Sequence, residues 1–153
     1  KGEELVGMVM ERSVEMVVGM LGVLKAGGAY VPVDPGYPEK RKRYMLEDAG
    51  VRIVLTQERF ASVLANSGIA SSLAVVALDA DWDEINLESQ EDLNFHAEMD
   101  HPVYVIYTSG STGFPKGVVI TQDSLRNHML WMQREYPMLQ YGSFMLLCWQ
   151  ERS

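Results

Sequence analysis

The sequence predicts an α/β fold, a doubly wound and mostly parallel sheet flanked by helices. Short valine-rich apolar runs alternate with stretches of helical period between Leu5 and Leu78, in the order β-α-β-α-β-α-β. The first run is apolar at successive residues, as suits a strand buried on both faces. Glycine and proline punctuate the segments at short intervals, which fits crossover connections that return each strand beside an earlier one.

Taken in order, Leu5 to Val9 is the first strand. Val14, Val17, Val18, Leu21 and Leu24 then fall at helical spacing, with Ser13 placed to cap and Glu15 near the positive end of the dipole. Gly19 and Gly22 inside that helix each cost about 1 kcal/mol relative to Ala, so both are expected where backbone approaches backbone. Met8, Met10, Met16 and Met20 read as core filling. Gly27-Gly28 ends the helix, Ala29 to Val33 is the second strand, and Asp34-Pro35-Gly36-Tyr37-Pro38 is a turn stiffened by proline. Pro38 opens a helix carrying Tyr44, Met45, Leu46 and Ala49 inward and stopped by Gly50. Ile53 to Thr56 is a third strand, Gln57 to Asn66 a helix with Phe60, Val63 and Leu64 on one face, and Leu73 to Leu78 a fourth strand.

The stretch Asp79 to Asp100 holds nine acidic residues and no Lys or Arg, so it is expected to run as a solvated connector. Its carboxylates lack calcium-loop spacing and the glycine such a loop needs at its turn. His96 and His101 have neither a nearby Cys nor the spacing of a zinc pair. The segments divide the chain into 1–78 (βα repeats), 79–101 (acidic connector), 102–136 (a loop between strands and a following helix) and 137–153 (a divergent tail).

A chain of 153 residues with a 47% hydrophobic share can bury one ordinary core. A net charge of −8 without a basic cluster argues against nucleic acid or an anionic membrane as partner. The single Cys148 rules out an internal disulfide framework and suits a reducing, cytoplasmic setting. Starting at Lys1 and entering a strand by Leu5, the chain reads as a fragment.

The chemistry concentrates in Tyr107 to Gly117, YTSGSTGFPKG, between the strand-like runs Val103 to Tyr107 and Val118 to Ile120. Gly110, Gly113 and Gly117 permit unusual φ and leave room for an anion. Thr108, Ser109, Ser111 and Thr112 supply donors, and Lys116 supplies a point charge. This composition marks an anion-binding loop. A Walker A loop is disfavoured, because Lys116 lies between Pro115 and Gly117 and a strand rather than a helix follows.

The string YVIYTSGSTGFPKGVVI resembles the phosphate-binding signature of the adenylate-forming superfamily. LKAGGAYVPVDPGYP from Leu24 to Pro38, with Glu11-Arg12-Ser13 upstream, resembles the amino-acid adenylation domains of nonribosomal peptide synthetases more than the acyl-CoA branch. The resemblance covers about Leu5 to Met132. It implies part of the large N-terminal subdomain of an acetyl-CoA synthetase-like enzyme, truncated. The whole enzyme would use ATP and Mg²⁺ to convert an amino acid to its adenylate with release of pyrophosphate, then load the phosphopantetheine thiol of a carrier protein. By carry-over Thr108, Ser109, Gly110, Ser111, Thr112, Gly113, Lys116 and Gly117 would hold the phosphates, with Thr108 and Thr112 beside Mg²⁺. No catalytic residue is assigned, since the family's catalytic lysine belongs to a later subdomain. The remaining adenylation subdomains would be partners, and the chain alone is expected to be inactive.

Lys42 stands where the family usually has an apolar residue, and Gln122 where it commonly has His, so hydrogen bonding is kept there but not titration. The tail from Pro137 departs further, ending in the apolar run Phe144 to Trp149. The alternatives are a fragment of an acyl- or aryl-CoA ligase, and a non-catalytic remnant that keeps the sheet as an interaction module.

Overall fold

A computed structural model of the chain describes residues 4–66, 73–109 and 114–136. Among these the order is β1 (Leu5–Val9), α1 (Val14–Lys25), β2 (Ala29–Val33), α2 (Glu39–Asp48), β3 (Ile53–Thr56), α3 (Glu58–Asn66), β4 (Ala74–Ala77), α4 (Trp82–Ile85), β5 (Pro102–Thr108), β6 (Lys116–Thr121) and α5 (Gln122–Glu135). The strands form one sheet in the order β4-β3-β1-β2-β5-β6. Every pairing is parallel except β5 with β6, which is antiparallel. The mostly parallel, doubly wound expectation is met.

Apolar clusters cover both faces of the sheet, which is why its strands are not cleanly alternating. On one side Val9, Val31, Val33, Val54, Val105 and Tyr107 pack with Met45 and Leu46 of α2 and Leu64 of α3. On the other, Met8, Met10 and Leu78 pack with Met16 of α1, joined by Met20, Tyr30 and Ile85. The expected methionine filling is found there. Central β1 serves both, since Met8 and Val9 point oppositely and are 2% and 1% exposed.

Ser13 caps α1 by accepting from the Met16 N–H. Its buried stripe differs from the expected one. Met16, Gly19 and Val23 face the sheet, while Val14, Val17, Val18 and Leu21 are 75%, 46%, 40% and 57% exposed. Both stripes are apolar at helical period, so spacing alone cannot choose between them. Gly19 decides, because a Cβ there would lie 3.0 Å from Leu78 Cδ1 and 3.1 Å from Met8 Cε. Gly22 has open space where a Cβ would stand, contrary to the close approach expected of it. A groove of about 900 Å³ follows, lined by Val18, Gly19, Val76, Trp82, Ile85 and Phe95 among others.

The acidic connector runs over the surface from the β4 edge back toward β2, apart from the short α4. It is tethered where Lys25 of α1 meets Asp92 at 2.8 Å and where Phe95 covers left-handed Gly27 (φ 82°). His101 Nδ1 accepts from the Glu98 N–H at 3.1 Å, and its ring stacks on Phe95, so it shapes the turn into β5. No helix among the described residues is long and apolar enough to cross a membrane. The tail from 137 onward, with Phe144 to Trp149 and Cys148, lies outside the described residues, as do Gly110, Ser111, Thr112 and Gly113.

Candidate functional site

Strands β5 and β6 form a ribbon whose mouth is flanked by Thr108 and Lys116 of the signature segment. Thr108 stands opposite Lys116, and Tyr107 opposite Gly117, so each pair lies on one face of the ribbon. Thr108, Ser109, Lys116 and Gly117 are exposed, and no salt bridge among the described residues engages Lys116.

Tyr107 fixes the root of the segment. It is 8% exposed, and its phenol donates to Asp48 Oδ2 of α2 at 2.7 Å. Gly117 closes over that ring: a Cβ there would be 3.0 Å from Val105 Cγ1 and 3.3 Å from Tyr107 Cζ. The signature's last glycine therefore seats β6 on Tyr107. Phe114, 64% exposed, meets Tyr44 of α2 with ring centroids 5.6 Å apart.

Burial, and next the Asp48 carboxylate, push the Tyr107 phenol above its usual range. An unfolded tyrosine loses its proton near pH 10. Where unfolded Tyr107 has ionised and folded Tyr107 has not, the unfolded state binds one proton fewer, and stability falls with pH by about 1.4 kcal/mol per unit. This contribution is whole below pH ~10 and disappears as pH rises through the folded value. Burial also raises Tyr30. Urea unfolding of Tyr107→Phe between pH 8 and 11 is therefore expected to show a shallower alkaline decline than wild type, but not a flat one. An unchanged slope would contradict the assignment.

Beside the ribbon, at the C-terminal ends of the parallel strands, opens a cleft of about 350 Å³. Glu11 and Arg12 after β1, Asp34 and Pro35 after β2, and Ile106 and Tyr107 of β5 line it. Carboxyl ends of open parallel sheets are where such folds take ligands. Both turns at its rim are internally braced. Asp34 Oδ1 accepts from the Gly36 N–H at 2.8 Å, and the Lys42 ammonium donates to the Pro35 carbonyl at 3.0 Å. Lys42, buried on α2, thus holds the proline turn from beneath, which accounts for a lysine at an apolar position. Gln57, also buried, accepts from the Glu11 N–H at 3.1 Å and so holds the turn after β1.

Sequence reasoning expected Thr108, Ser109, Lys116 and Gly117 in one loop between two strands, and these four stand together at the ribbon mouth. It passed over Asp48 and Gln57, whose partners lie 59 and 46 residues away and leave no local pattern. Gln122 begins α5, where its N–H donates to the His101 carbonyl at 2.9 Å. No cluster of three His, Cys, Asp or Glu suited to a metal occurs among the described residues.

Residues 1–149 match the model of the family described as AMP-binding enzyme. A linear gramicidin synthase of Brevibacillus parabrevis is 50% identical over 134 residues, which are 88% of this chain and 2% of that protein. Zwittermicin A synthase ZmaJ of Bacillus cereus is 44% identical over 135 residues, 88% of this chain and 25% of ZmaJ. The crystal structure of the nonribosomal peptide synthetase FmoA3 in its AMPPNP bound form superposes with a TM-score of 0.77 at 36% identity, covering 89% of this chain and 14% of that one. The chain thus spans a small part of each. With the family match running through both signature segments and the ribbon geometry, the chain belongs to the AMP-binding enzyme family.

Proposed function

We propose that this chain supplies the triphosphate-holding part of an ATP-dependent, amino-acid-activating adenylation enzyme of the peptide synthetase type. The observation that carries it is the ribbon mouth, where Thr108 and Lys116 stand opposite each other, exposed, beside a cleft at the carboxyl edge of the sheet. Similarity to the gramicidin and zwittermicin synthases favours an amino acid over another carboxylic acid as substrate.

In such a reaction the substrate carboxylate attacks the α-phosphorus and pyrophosphate leaves, so the barrier falls where donors spread charge on the leaving group. The hydroxyls and amides of Thr108, Ser109, Ser111 and Thr112, with the amides of Gly110 and Gly113, would embrace the β- and γ-phosphates, Gly117 keeping the mouth narrow. Lys116 would add a positive charge. The donors at Thr108 and Thr112 are neutral hydroxyls rather than a carboxylate cage, which fits an Mg²⁺ that keeps waters and arrives with the phosphates. Mg²⁺ would supply Lewis-acid stabilisation of the same charge. An amino acid, a carrier-protein thiol and the remaining adenylation subdomains are the partners of the intact enzyme, in the cytoplasm.

Titrating the ¹⁵N-labelled chain with ATP and Mg²⁺ is expected to shift the Ser109 to Gly113 amides, and Lys116→Ala to weaken the apparent affinity about tenfold, the worth of one charge-assisted contact. Amino-acid-dependent pyrophosphate exchange by the chain alone is expected not to exceed that of Lys116→Ala. Absence of any ATP-dependent shift would refute the reading in favour of a non-binding remnant.

A further inference from the structure

We infer that α2 is the clamp that sets the mouth of the β5–β6 ribbon, with Asp48 as the positioning residue. This rests on reading the ribbon mouth as an anion site.

Tyr44 and Asp48 are four residues apart on one helix, so they project from one face as neighbours. Asp48 takes the proton side of the Tyr107 phenol at the end of β5, at 2.7 Å. Tyr107 carries Gly117 of β6 on its ring, so the same contact reaches the second root of the segment. Tyr44 meets Phe114, just before Lys116, with ring centroids 5.6 Å apart. The helix is a firm base, because Met45 and Leu46 are 2% and 1% exposed in the core. Its first turn also holds the cleft's other wall, through Lys42 and the Pro35 carbonyl.

One helix therefore ties together the proline turn after β2, the end of β5 and the start of β6. Thr108 and Lys116 are the next residues outward from Tyr107 and Gly117 and pair with each other, so the clamp would set their spacing before any anion arrives. An anion bound by a preset mouth does not have to order it, and affinity gains accordingly.

Amide hydrogen exchange of the ¹⁵N-labelled chain without nucleotide tests this directly. Asp48→Ala is expected to speed exchange at Tyr107, Thr108, Lys116 and Gly117 about tenfold. Asp48→Asn, which keeps an acceptor oxygen, should do so less and should leave the urea midpoint unchanged. Glu47→Gln, one position away and not in contact with the ribbon, should leave these amides unchanged. Tyr107→Phe keeps the ring under Gly117 but removes the donor, so it should match Asp48→Ala, and the double variant should add little. With ATP and Mg²⁺, Asp48→Ala should raise the apparent Kd about tenfold. Exchange at the four amides no faster in Asp48→Ala than in wild type overturns the clamp, whether or not ATP binds. Faster exchange in a wild-type background that shows no ATP binding upholds the clamp and refutes the anion site instead.

Discussion

Leu46→Ala is expected to lower the unfolding free energy by about 2–5 kcal/mol, the range for removing a large aliphatic side chain from a close-packed core. Leu46 is 1% exposed and belongs to the cluster that joins α2 and α3 to the sheet through Val9, Val31 and Val54. Its Cδ2 lies 2.7 Å from where a Cβ on Gly7 would stand, so it reaches the backbone of the central strand. The truncation leaves a hole between a helix and a strand that are each held by other contacts, so collapse to fill it is limited. Urea unfolding should show the midpoint falling with little change in the slope. A loss below about 1 kcal/mol would mean the site relaxes freely. Because α2 also carries Tyr44 and Asp48, the same variant should loosen the ribbon mouth, which lies at the far end of that helix's reach.

Much of this architecture was legible in the sequence, and the parts that were not share one cause. Strand runs such as Leu5–Val9 and Ala29–Val33 announce themselves because burial on both faces demands unbroken apolar residues. The Ser13 cap, the Asp34 turn and the left-handed stops at Gly27 and Gly50 are local, and each is read from its own few residues. The hydroxyl and glycine content of the segment between β5 and β6 was legible from composition. What failed depended on tertiary choice. Helix α1 offers two apolar stripes, and only the shape of the facing sheet, with Met8 and Leu78 crowding Gly19, selects the one that turns inward. The pairing of Asp48 with Tyr107 is equally silent, since an acidic residue at the end of an exposed helix face ordinarily meets water.

The tightest of those tertiary fits yields the second large effect: Gly7→Val is expected to cost about 3 kcal/mol, at the upper end of overpacking penalties. Valine favours a strand, and replacing glycine removes freedom from the unfolded chain. Together these would favour the variant by roughly 1 kcal/mol at an open position. Gly7 is not open. A Cβ there would stand 2.7 Å from Leu46 Cδ2, 3.2 Å from Val51 Cγ1 and 3.2 Å from Val54 Cγ2, and two methyls extend beyond it. Leu46 can give way only by leaving its packed position, while Val51, just before β3, and Val54, within it, are 6% and 0% exposed and have short side chains held close to the backbone. Crowding therefore outweighs propensity. The two positions must then be coupled: in a Leu46→Ala background the space opposite Gly7 is vacated, so a residue too large for the wild-type core becomes a partial filling. Gly7→Ala, destabilising alone, should be neutral or stabilising when combined with Leu46→Ala, with a coupling of about 1–2 kcal/mol in a double-mutant cycle. Additivity within about 0.5 kcal/mol would show that the strand and helix do not meet at this point.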